Sequence, residues 1–241
     1  MVNDGRMKEI LKIENLWGGY IENVDILCGI SMRVQQGEAV GIIGLNGSGK
    51  STFGKSIMNM IPIRKGEILF GGKDITALST CQLAHCGISI MQQGGRVFPN
   101  LSVWDNIQLA IGKNQSSLFT PHSLLGGIVP ILQRPKRELQ HLMADKLSGG
   151  QKHQLSLAMT LATIPSLIIL DEPSAGLSPK AVEEMYQILR DVRSKLNITI
   201  ILIEQNIAKA VDFCDMSLLL MNGQIKSIDM HDLHKTELII F

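Results

Sequence analysis

The apolar residues of this chain fall into short, largely continuous runs and into one long stretch with helical spacing. The largely apolar runs occupy residues 39–43, 167–170 and 198–203. Runs of this length are typical of strands buried on both faces of a parallel sheet. The stretch with helical spacing follows Ser178-Pro179, two residues that favour the cap and the first turn of a helix. One apolar face of this helix is predicted from Val182, Met185, Leu189, Val192 and Leu196.

Shorter segments complete an alternation of strands and helices. Further strands are predicted at residues 8–16, 26–34, 67–70 and 88–91, and helices at residues 51–60, 79–87 and 102–110. The segments 216–221 and 224–228 flank Asn222-Gly223, which is a strong hairpin signal. Alternating strands and helices predict an α/β fold with a mainly parallel sheet.

The character of the chain changes between residues 92 and 147. Glycine pairs and prolines divide this region into short segments, at Gly94-Gly95, Pro99, Pro121, Gly126-Gly127, Pro130 and Pro135. Such punctuation favours short helices and loops. The region is therefore predicted to be an insertion into the α/β core.

Composition narrows the possible functions. The net charge is +1, from 23 basic and 22 acidic residues, so the chain lacks the basic surplus that a nucleic-acid partner would require. No apolar run approaches the ~20 residues that span a bilayer, and the first residues do not form a secretory signal. We therefore expect a soluble or peripheral protein. Four cysteines without metal-ligand spacing are interpreted as reduced core thiols, at Cys28, Cys81, Cys86 and Cys214. His231 and His234 are expected on a solvated face.

The most specific pattern is a glycine-rich loop at residues 44–51, GLNGSGKS, which fits G-x-x-x-x-G-K-[ST] without a mismatch. A predicted strand enters this loop and a predicted helix leaves it. In that context backbone N–H groups and a helix N-terminus converge on an anion. Lys50 would reach the β- and γ-phosphates, and Ser51 would hold Mg²⁺ through its hydroxyl. The alternative, a flexible turn with a surface lysine, does not account for both flanking elements.

Two further motifs follow along the chain. The run at 167–170 ends in Asp171-Glu172, so that two carboxylates stand at the C-terminal end of a predicted strand, where open α/β sheets bind ligands. Asp171 would hold Mg²⁺ through water, and Glu172 would polarise an attacking water.

The second motif is LSGGQ at residues 147–151, which places a serine and two glycines at a predicted helix start, a second anion-binding geometry. Alone, either motif is compatible with an ordinary turn.

The order of these three motifs resembles the nucleotide-binding subunit of an ABC transporter over nearly the whole chain. The resemblance implies a P-loop NTPase core with N-terminal antiparallel strands and an inserted α-helical subdomain. It implies one domain over residues 1–241, with the core at 1–92 and 163–241 and the helical subdomain at about 93–162.

The same resemblance implies ATP and Mg²⁺ as ligands. The implied nucleotide-binding residues are Tyr20, Gly44, Asn46, Gly47, Ser48, Gly49, Lys50, Ser51, Thr52, Gln93, Ser148, Gly149 and Gly150. Tyr20 would stack on adenine. Ser148 and Gly150 would contact the γ-phosphate held by the other copy in a dimer. Gln93 would contact Mg²⁺ with Ser51 and Asp171, and Gln92 is its less favoured neighbour. Catalysis would rest on Glu172, Gln205 and Lys50.

The implied partners are a second ATP-binding subunit, identical or related, and transmembrane permease subunits at the cytoplasmic face of the membrane. Residues 95–103 and 203–206 resemble the ATP-binding subunits of branched-chain amino-acid importers. The chain departs from the usual family pattern at three positions: Gln205 replaces a histidine, Ser178 replaces an aspartate and Met159 replaces an arginine. The alternatives are a non-transport ABC ATPase and an ATP-binding switch with weak hydrolysis. The sequence does not identify the transported solute.

Overall fold

The computed structural model describes residues 8–112 and 125–227. Its contacts divide the chain into two compact units. Gly87–Ile198 forms one unit, and the described parts of Met1–Cys86 and Thr199–Phe241 form the other. We call the latter the phosphate-loop unit and the former the signature unit, after the motifs that they carry.

The strands in chain order are β1 (Glu9–Gly18), β2 (Leu27–Gln35), β3 (Ala39–Ile43), β4 (Ile63–Phe70), β5 (Lys73–Asp74), β6 (Ile88–Met91), β7 (Leu167–Asp171), β8 (Thr199–Glu204), β9 (Met216–Met221) and β10 (Gln224–Ser227). The α-helices are α1 (Lys50–Ile57), α2 (Thr80–His85), α3 (Val103–Ile111), α4 (Lys136–His141), α5 (Gly149–Leu161), α6 (Pro179–Leu196) and α7 (Ile207–Phe213). Two 3₁₀ turns lie at Pro130–Gln133 and Ala144–Lys146.

The phosphate-loop unit contains an antiparallel sheet and a parallel group of strands. The antiparallel sheet has the order β2-β1-β4-β5. In the parallel group β3 pairs with β8 on one side and with β9 on the other. Every residue of β3 and of β8 is buried, which explains the apolar sequence of β3 and of residues 200–203 in β8.

The predicted hairpin is confirmed, with β9 and β10 antiparallel and Met221 facing Gln224. Asn222 and Gly223 both have positive φ, 50° and 73°, as a type I′ turn requires. A Cβ on Gly223 would lie 2.1 Å from the carbonyl oxygen of Ile26, so only glycine fits this position.

The signature unit contains a pair of parallel strands and most of the helices. β6 and β7 pair in register from Ile88 with Leu167 to Met91 with Leu170. Helix α3 packs against α4 and α5. The fully buried side chain of Asn106 fixes the segment before α3, since its Nδ2 donates to the carbonyl oxygens of Phe98 and Ser102 at 3.0 and 2.9 Å.

Most sequence predictions of helix starts are confirmed because they rest on a cap. Ser79, Ser102, Ser148 and Ser178 are the N-caps of α2, α3, α5 and α6. The predicted helix 51–60 instead ends at Ile57, and Asn59 then adopts a left-handed φ of 49°. The apolar face of α6 is confirmed at Met185, Leu189 and Val192, all buried.

The interpretation of the cysteines as core thiols is wrong for two of them. All four are free, but Cys81 and Cys86 are exposed at the short helix α2, and Cys28 and Cys214 are half-buried. α2 buries only Leu83, so its remaining positions face outwards. His122, His231 and His234 lie outside the described residues. The limits 93–162 of the helical subdomain stay a prediction.

Candidate functional site

The phosphate loop, residues 44–51, connects β3 to α1 through three glycines with positive φ. Gly44, Gly47 and Gly49 have φ of 156°, 78° and 103°. A Cβ on Gly44 would lie 2.4 Å from the carbonyl oxygen of Leu220, whereas Gly47 faces open space. Gly49 is the N-cap of α1 and offers no capping side chain, and this fully described helix has no acidic residue in its first turn. The N-terminal end of α1 therefore carries no side-chain cap and no acidic residue that would compete with an external anion.

The side chains of the loop fit the same ligand. Lys50 is buried, and its Nζ donates to the carbonyl oxygens of Gly44 and Leu45 at 2.8 and 2.9 Å. The Oγ of Ser48 is also buried, and no described residue hydrogen-bonds to it. A buried hydroxyl without a partner beside an uncapped helix end is the environment that a phosphate oxygen completes. Ser51 is half-buried, Thr52 is buried and Asn46 is exposed.

The predicted adenine partner, Tyr20, has an accessible ring. It is 51% exposed, and the Nζ of Lys55 lies 5.9 Å from its ring centre. The turn that follows Tyr20 is held by Arg64, which donates to the carboxylate of Asp25 and to the carbonyl oxygen of Ile21. The tyrosine therefore stands on a fixed turn with its aromatic surface available for stacking.

In the signature unit, the acidic strand end contacts the predicted glutamine. Asp171 closes β7 and is 3% exposed. Glu172 follows it with a left-handed φ of 48°, a conformation that is costly for a residue other than glycine or asparagine. The Nε2 of Gln93 donates to Oε2 of Glu172 at 2.7 Å. Gln93, and not its neighbour Gln92, is therefore the residue that orients this carboxylate.

The LSGGQ segment, residues 147–151, forms the start of α5. Ser148 and Gln151 make a reciprocal capping box, with Gln151 N donating to Ser148 Oγ at 3.3 Å and Ser148 N donating to Gln151 Oε1 at 3.0 Å. A cavity of about 710 Å³ opens here, lined among others by Ser148, Gly150 and Lys180. Its walls include the first residues of both α5 and α6, so two helix N-termini face it.

The structure shows the environment of two of the three residues that depart from the family pattern. Ser178 caps α6 by accepting from Ala181 N at 3.4 Å, so the serine keeps the capping function that an aspartate would also provide. Gln205 is exposed directly after β8, and its backbone N donates to the buried carboxylate of Glu204 at 3.2 Å. Met159 is half-buried in α5, and nothing in the structure explains the replacement of arginine there.

The structure thus groups the predicted residues within each unit. The phosphate-loop unit carries the loop, Tyr20 and Gln205. The signature unit carries the Gln93–Glu172 pair, Asp171 and the LSGGQ segment. Sequence reasoning missed Glu204 and His153, which are 2% and 7% exposed. The available signal for Glu204 was a carboxylate placed directly after the apolar residues 200–203, at the end of β8.

The described residues contain no group of three or more His, Cys, Asp or Glu side chains that could hold a metal ion. Among the helices of residues 8–112 and 125–227, none is long and apolar enough to cross a membrane.

Comparison with known proteins identifies the family. Residues 27–175 match the family described as ABC transporter, and the chain belongs to it. It is 32% identical to the probable branched-chain amino acid transport ATP-binding protein LivF of Archaeoglobus fulgidus, over 90% of each chain. It is 30% identical to the high-affinity branched-chain amino acid transport ATP-binding protein BraG of Pseudomonas aeruginosa, over 88% of each. A lipopolysaccharide export ATP-binding protein LptB of Acidithiobacillus ferridurans is 28% identical over 91% of this chain and 89% of its own.

Solved structures agree with this assignment. A nucleotide-free ATP-binding cassette from an ABC transporter superposes with a TM-score of 0.78 at 27% identity, covering 91% of this chain and 90% of its own. The ADP conformation of another such cassette gives 0.72 at 30% identity, covering 90% and 89%. The chain is therefore an ABC transporter ATP-binding subunit and an ATPase that binds ATP, with the α/β cassette fold that the sequence predicted.

Proposed function

We propose that this subunit hydrolyses MgATP to power import of branched-chain amino acids through separate membrane subunits. The names of the two relatives cited first support this solute class, as does the resemblance of residues 95–103 and 203–206 to that importer subgroup. The observation that carries the catalytic part is the hydrogen bond of 2.7 Å between Gln93 and Glu172.

On the phosphate side, binding rests on groups that the loop already orients. The N-terminal N–H groups of α1 and the Lys50 ammonium would surround the β- and γ-phosphates, and the Oγ of Ser48 would gain a partner. Mg²⁺ would supply charge neutralisation. The oxygen donors that suit it are the Ser51 hydroxyl, the Asp171 carboxylate and the Gln93 amide oxygen, since this ion prefers carboxylate, hydroxyl and carbonyl ligands.

On the water side, Glu172 is the proposed base and Gln205 is a positioning group. Glu172 accepts from Gln93, and this bond helps to set the orientation of its carboxylate. The Gln205 amide has two N–H donors and cannot take up a proton, so it can orient a water or donate to a phosphate oxygen but not act as base. Most of the acceleration would come from positioning and charge stabilisation.

Two copies are proposed to act together, as identical or related chains. Ser148 and Gly150 line a cavity that two helix N-termini face, and this arrangement suits phosphate oxygens supplied by the nucleotide of the second copy. Transmembrane permease subunits would recruit the pair to the cytoplasmic face of the membrane, where it is peripheral.

The proposal is tested by solute uptake in a host strain that lacks this gene. The strain is complemented with the parent chain or with Lys50→Ala, and uptake of labelled leucine, isoleucine and valine is compared with that of labelled sulfate. We expect the parent alone to restore uptake of the three amino acids. Equal uptake of the three amino acids with the parent and with Lys50→Ala would exclude their ATP-driven import by this subunit. Restored uptake of sulfate would show that the subunit serves a different solute.

A further inference from the structure

His153 is a buried polar side chain of α5 that the proposed mechanism does not use. It is 7% exposed, and its Nδ1 lies 3.0 Å from the carbonyl oxygen of Gly149. A carbonyl oxygen can only accept, so Nδ1 carries the proton and donates it. The other ring nitrogen, Nε2, is buried with no hydrogen-bond partner among the described residues.

The ring of His153 also occupies the space beside Gly95. A Cβ on Gly95 would lie 2.8 Å from Nδ1, 2.9 Å from Cγ and 3.1 Å from Cε1 of the histidine. Gly95 has a φ of 58°, so a side chain there would meet both the ring and an unfavourable backbone conformation. The preceding Gly94 has a φ of 89° but faces open space.

These contacts join two parts of the catalytic apparatus within the signature unit. Gln93 holds Glu172, Gly95 packs on the ring of His153, and His153 donates to Gly149 in the LSGGQ segment. Only Gly94 separates the residue that contacts Glu172 from the residue that contacts the ring. A movement of residues 93–95 would therefore displace either the hydrogen bond to Glu172 or the ring of His153.

We propose that His153 is a positioning residue that couples the Gln93–Gly95 turn to the start of the LSGGQ helix. The inference rests on the proposed function, because the turn and the helix start act in hydrolysis only if that function holds. Through His153, the position of the Gln93–Glu172 pair and the position of the Ser148–Gly150 backbone depend on each other. The proposed base and the surface that contacts the second copy therefore reach their active positions together.

A purely structural role would not favour histidine at this position. Burying a ring nitrogen without a partner carries a desolvation cost, which leucine of similar size would avoid while filling the same space. The donor to Gly149 and the close fit to Gly95 are the two properties that leucine cannot both supply. Each property can be removed separately.

The experiment compares two matched pairs of variants in the full chain. His153→Leu keeps the volume and loses the donor, whereas His153→Asn keeps an N–H donor at the Nδ1 position. Gly95→Ala pushes on the ring, whereas Gly72→Ala, in the turn between β4 and β5, introduces a similar backbone penalty in open space at a position that carries no site residue. The measurements are kcat and KM for MgATP, the melting temperature, and MgATP-dependent dimerisation with each change placed in a Glu172→Gln background.

We expect His153→Leu and Gly95→Ala each to lower kcat about 10-fold and to weaken MgATP-dependent dimerisation, as coupling between contacting residues predicts. KM should stay near the parent value, because the phosphate loop is untouched. His153→Asn and Gly72→Ala should stay within about 3-fold of the parent, a margin of roughly 0.7 kcal/mol. Should Gly95→Ala fail to fold, the His153 pair alone decides the question.

Two outcomes overturn the inference and are distinguishable from failure of the proposed function. Equal kcat in His153→Leu and His153→Asn, whether both are high or both are low, removes the donor as the coupling group. If kcat falls across the variants only in proportion to the loss of melting temperature, His153 has a purely structural role in the core. A parent chain that neither hydrolyses MgATP nor dimerises with it would reject the proposed function itself, and the inference with it.

Discussion

The side chain of Gln93 donates to the carboxylate of Glu172 over 2.7 Å, between two residues that each follow a strand of the same parallel pair. The bond matters because Glu172 has a left-handed backbone with a φ of 48°, where few non-glycine residues are found. The left-handed backbone of Glu172 sets the direction of its side chain, and the hydrogen bond from Gln93 fixes the carboxylate at the end of that side chain.

The first prediction concerns this carboxylate. Glu172→Gln keeps an oxygen that can still accept from Gln93, so the turn should be preserved while the base is lost. We expect ATP binding to be unchanged, hydrolysis nearly to stop, and a dimer to elute from a sizing column with MgATP but not without it. Glu172→Ala, which also breaks the bond to Gln93, should dimerise less well. Hydrolysis at the parental rate in Glu172→Gln would show that another group is the base.

The second prediction concerns Lys50. Its ammonium is the side-chain cation that the loop places beside the expected phosphates, so Lys50→Ala should weaken ATP binding by roughly 1.5–3 kcal/mol, the range of a charge-assisted hydrogen bond. Titration calorimetry measures the change directly. Lys73→Ala, which removes an exposed lysine of β5, is the matched control and should bind ATP like the parent. Equal affinities in all three chains would reject the phosphate-loop assignment.

The third prediction concerns Gln205, where the chain departs from the usual histidine. Its side chain is exposed beyond β8, and its backbone N is already paired with Glu204, so truncation should leave the fold intact. A single positioning donor is typically worth about 10²–10³ in rate, and Gln205→Ala should lose about that much turnover with little change in ATP affinity. Gln205→His should recover a large part of it, because imidazole can also donate one N–H.

Single-turnover hydrolysis at saturating MgATP separates the possible outcomes for Gln205. If the alanine variant turns over like the parent, the residue has no role in the chemical step. A parent that itself hydrolyses very slowly, with its membrane subunits present, would support the alternative of an ATP-binding switch.

The fourth prediction concerns a pair of facing carboxylates in the antiparallel sheet. Glu14 of β1 lies directly opposite Glu67 of β4. A hydrogen bond from Glu67 to Glu14 raises the pKa of Glu67 above 4.5, whereas the neighbouring Lys12 ammonium lowers the pKa of Glu14 below it. Because the folded-state pKa of Glu67 is the higher one, its favourable contribution is present at low pH and is lost as the pH rises through that pKa.

Glu67→Gln should therefore melt at a higher temperature than the parent at pH 7, because the amide donates to Glu14 without adding a like charge. The advantage should shrink as the pH falls through the raised pKa of Glu67, where this side chain becomes protonated in the parent. Thermal melts at several pH values give the comparison, with Glu138→Gln in exposed α4 as the control for loss of one charge. An advantage that does not change with pH would mean that the pair does not share a proton.

The fifth prediction concerns Ile164, which lies between α5 and β7 with a left-handed φ of 50°. A β-branched residue is strained in this conformation, and the following Pro165 disfavours helical backbone further. Asparagine tolerates the conformation, so Ile164→Asn should gain about 1 kcal/mol and raise the melting temperature by roughly 2–4 °C. Hydrolysis should be unchanged. Ile164→Val, which keeps the branch, should show no gain in the same scan.

The sequence predicted those parts of the fold that depend on local signals. The buried runs fixed β3 and β7, the Asn222-Gly223 turn fixed the hairpin, and serine caps fixed the starts of the helices. Each of these features follows from residues close together in the chain, so that pattern and structure agree.

The remaining features depend on contacts between distant residues or on backbone strain. Nothing in the sequence around His153 indicates that its ring fits against Gly95, because the fit exists only when α5 packs beside the turn. The sequence also gave no indication of the left-handed conformation of Glu172, since residue propensities favour glycine or asparagine at positions with positive φ. Strain imposed by surrounding structure is expected at functional positions, where sequence rules fail for a physical reason.

The two hydrogen bonds of Lys50 have a consequence for the thermodynamics of nucleotide association. Both acceptors, the carbonyl oxygens of Gly44 and Leu45, belong to the same loop as the lysine, so the ammonium is immobilised before any ligand arrives. The side-chain entropy of this long residue is lost during folding and not again during binding. Association at this loop should therefore resemble docking to a rigid surface, with a small heat-capacity change and a binding enthalpy that varies little with temperature.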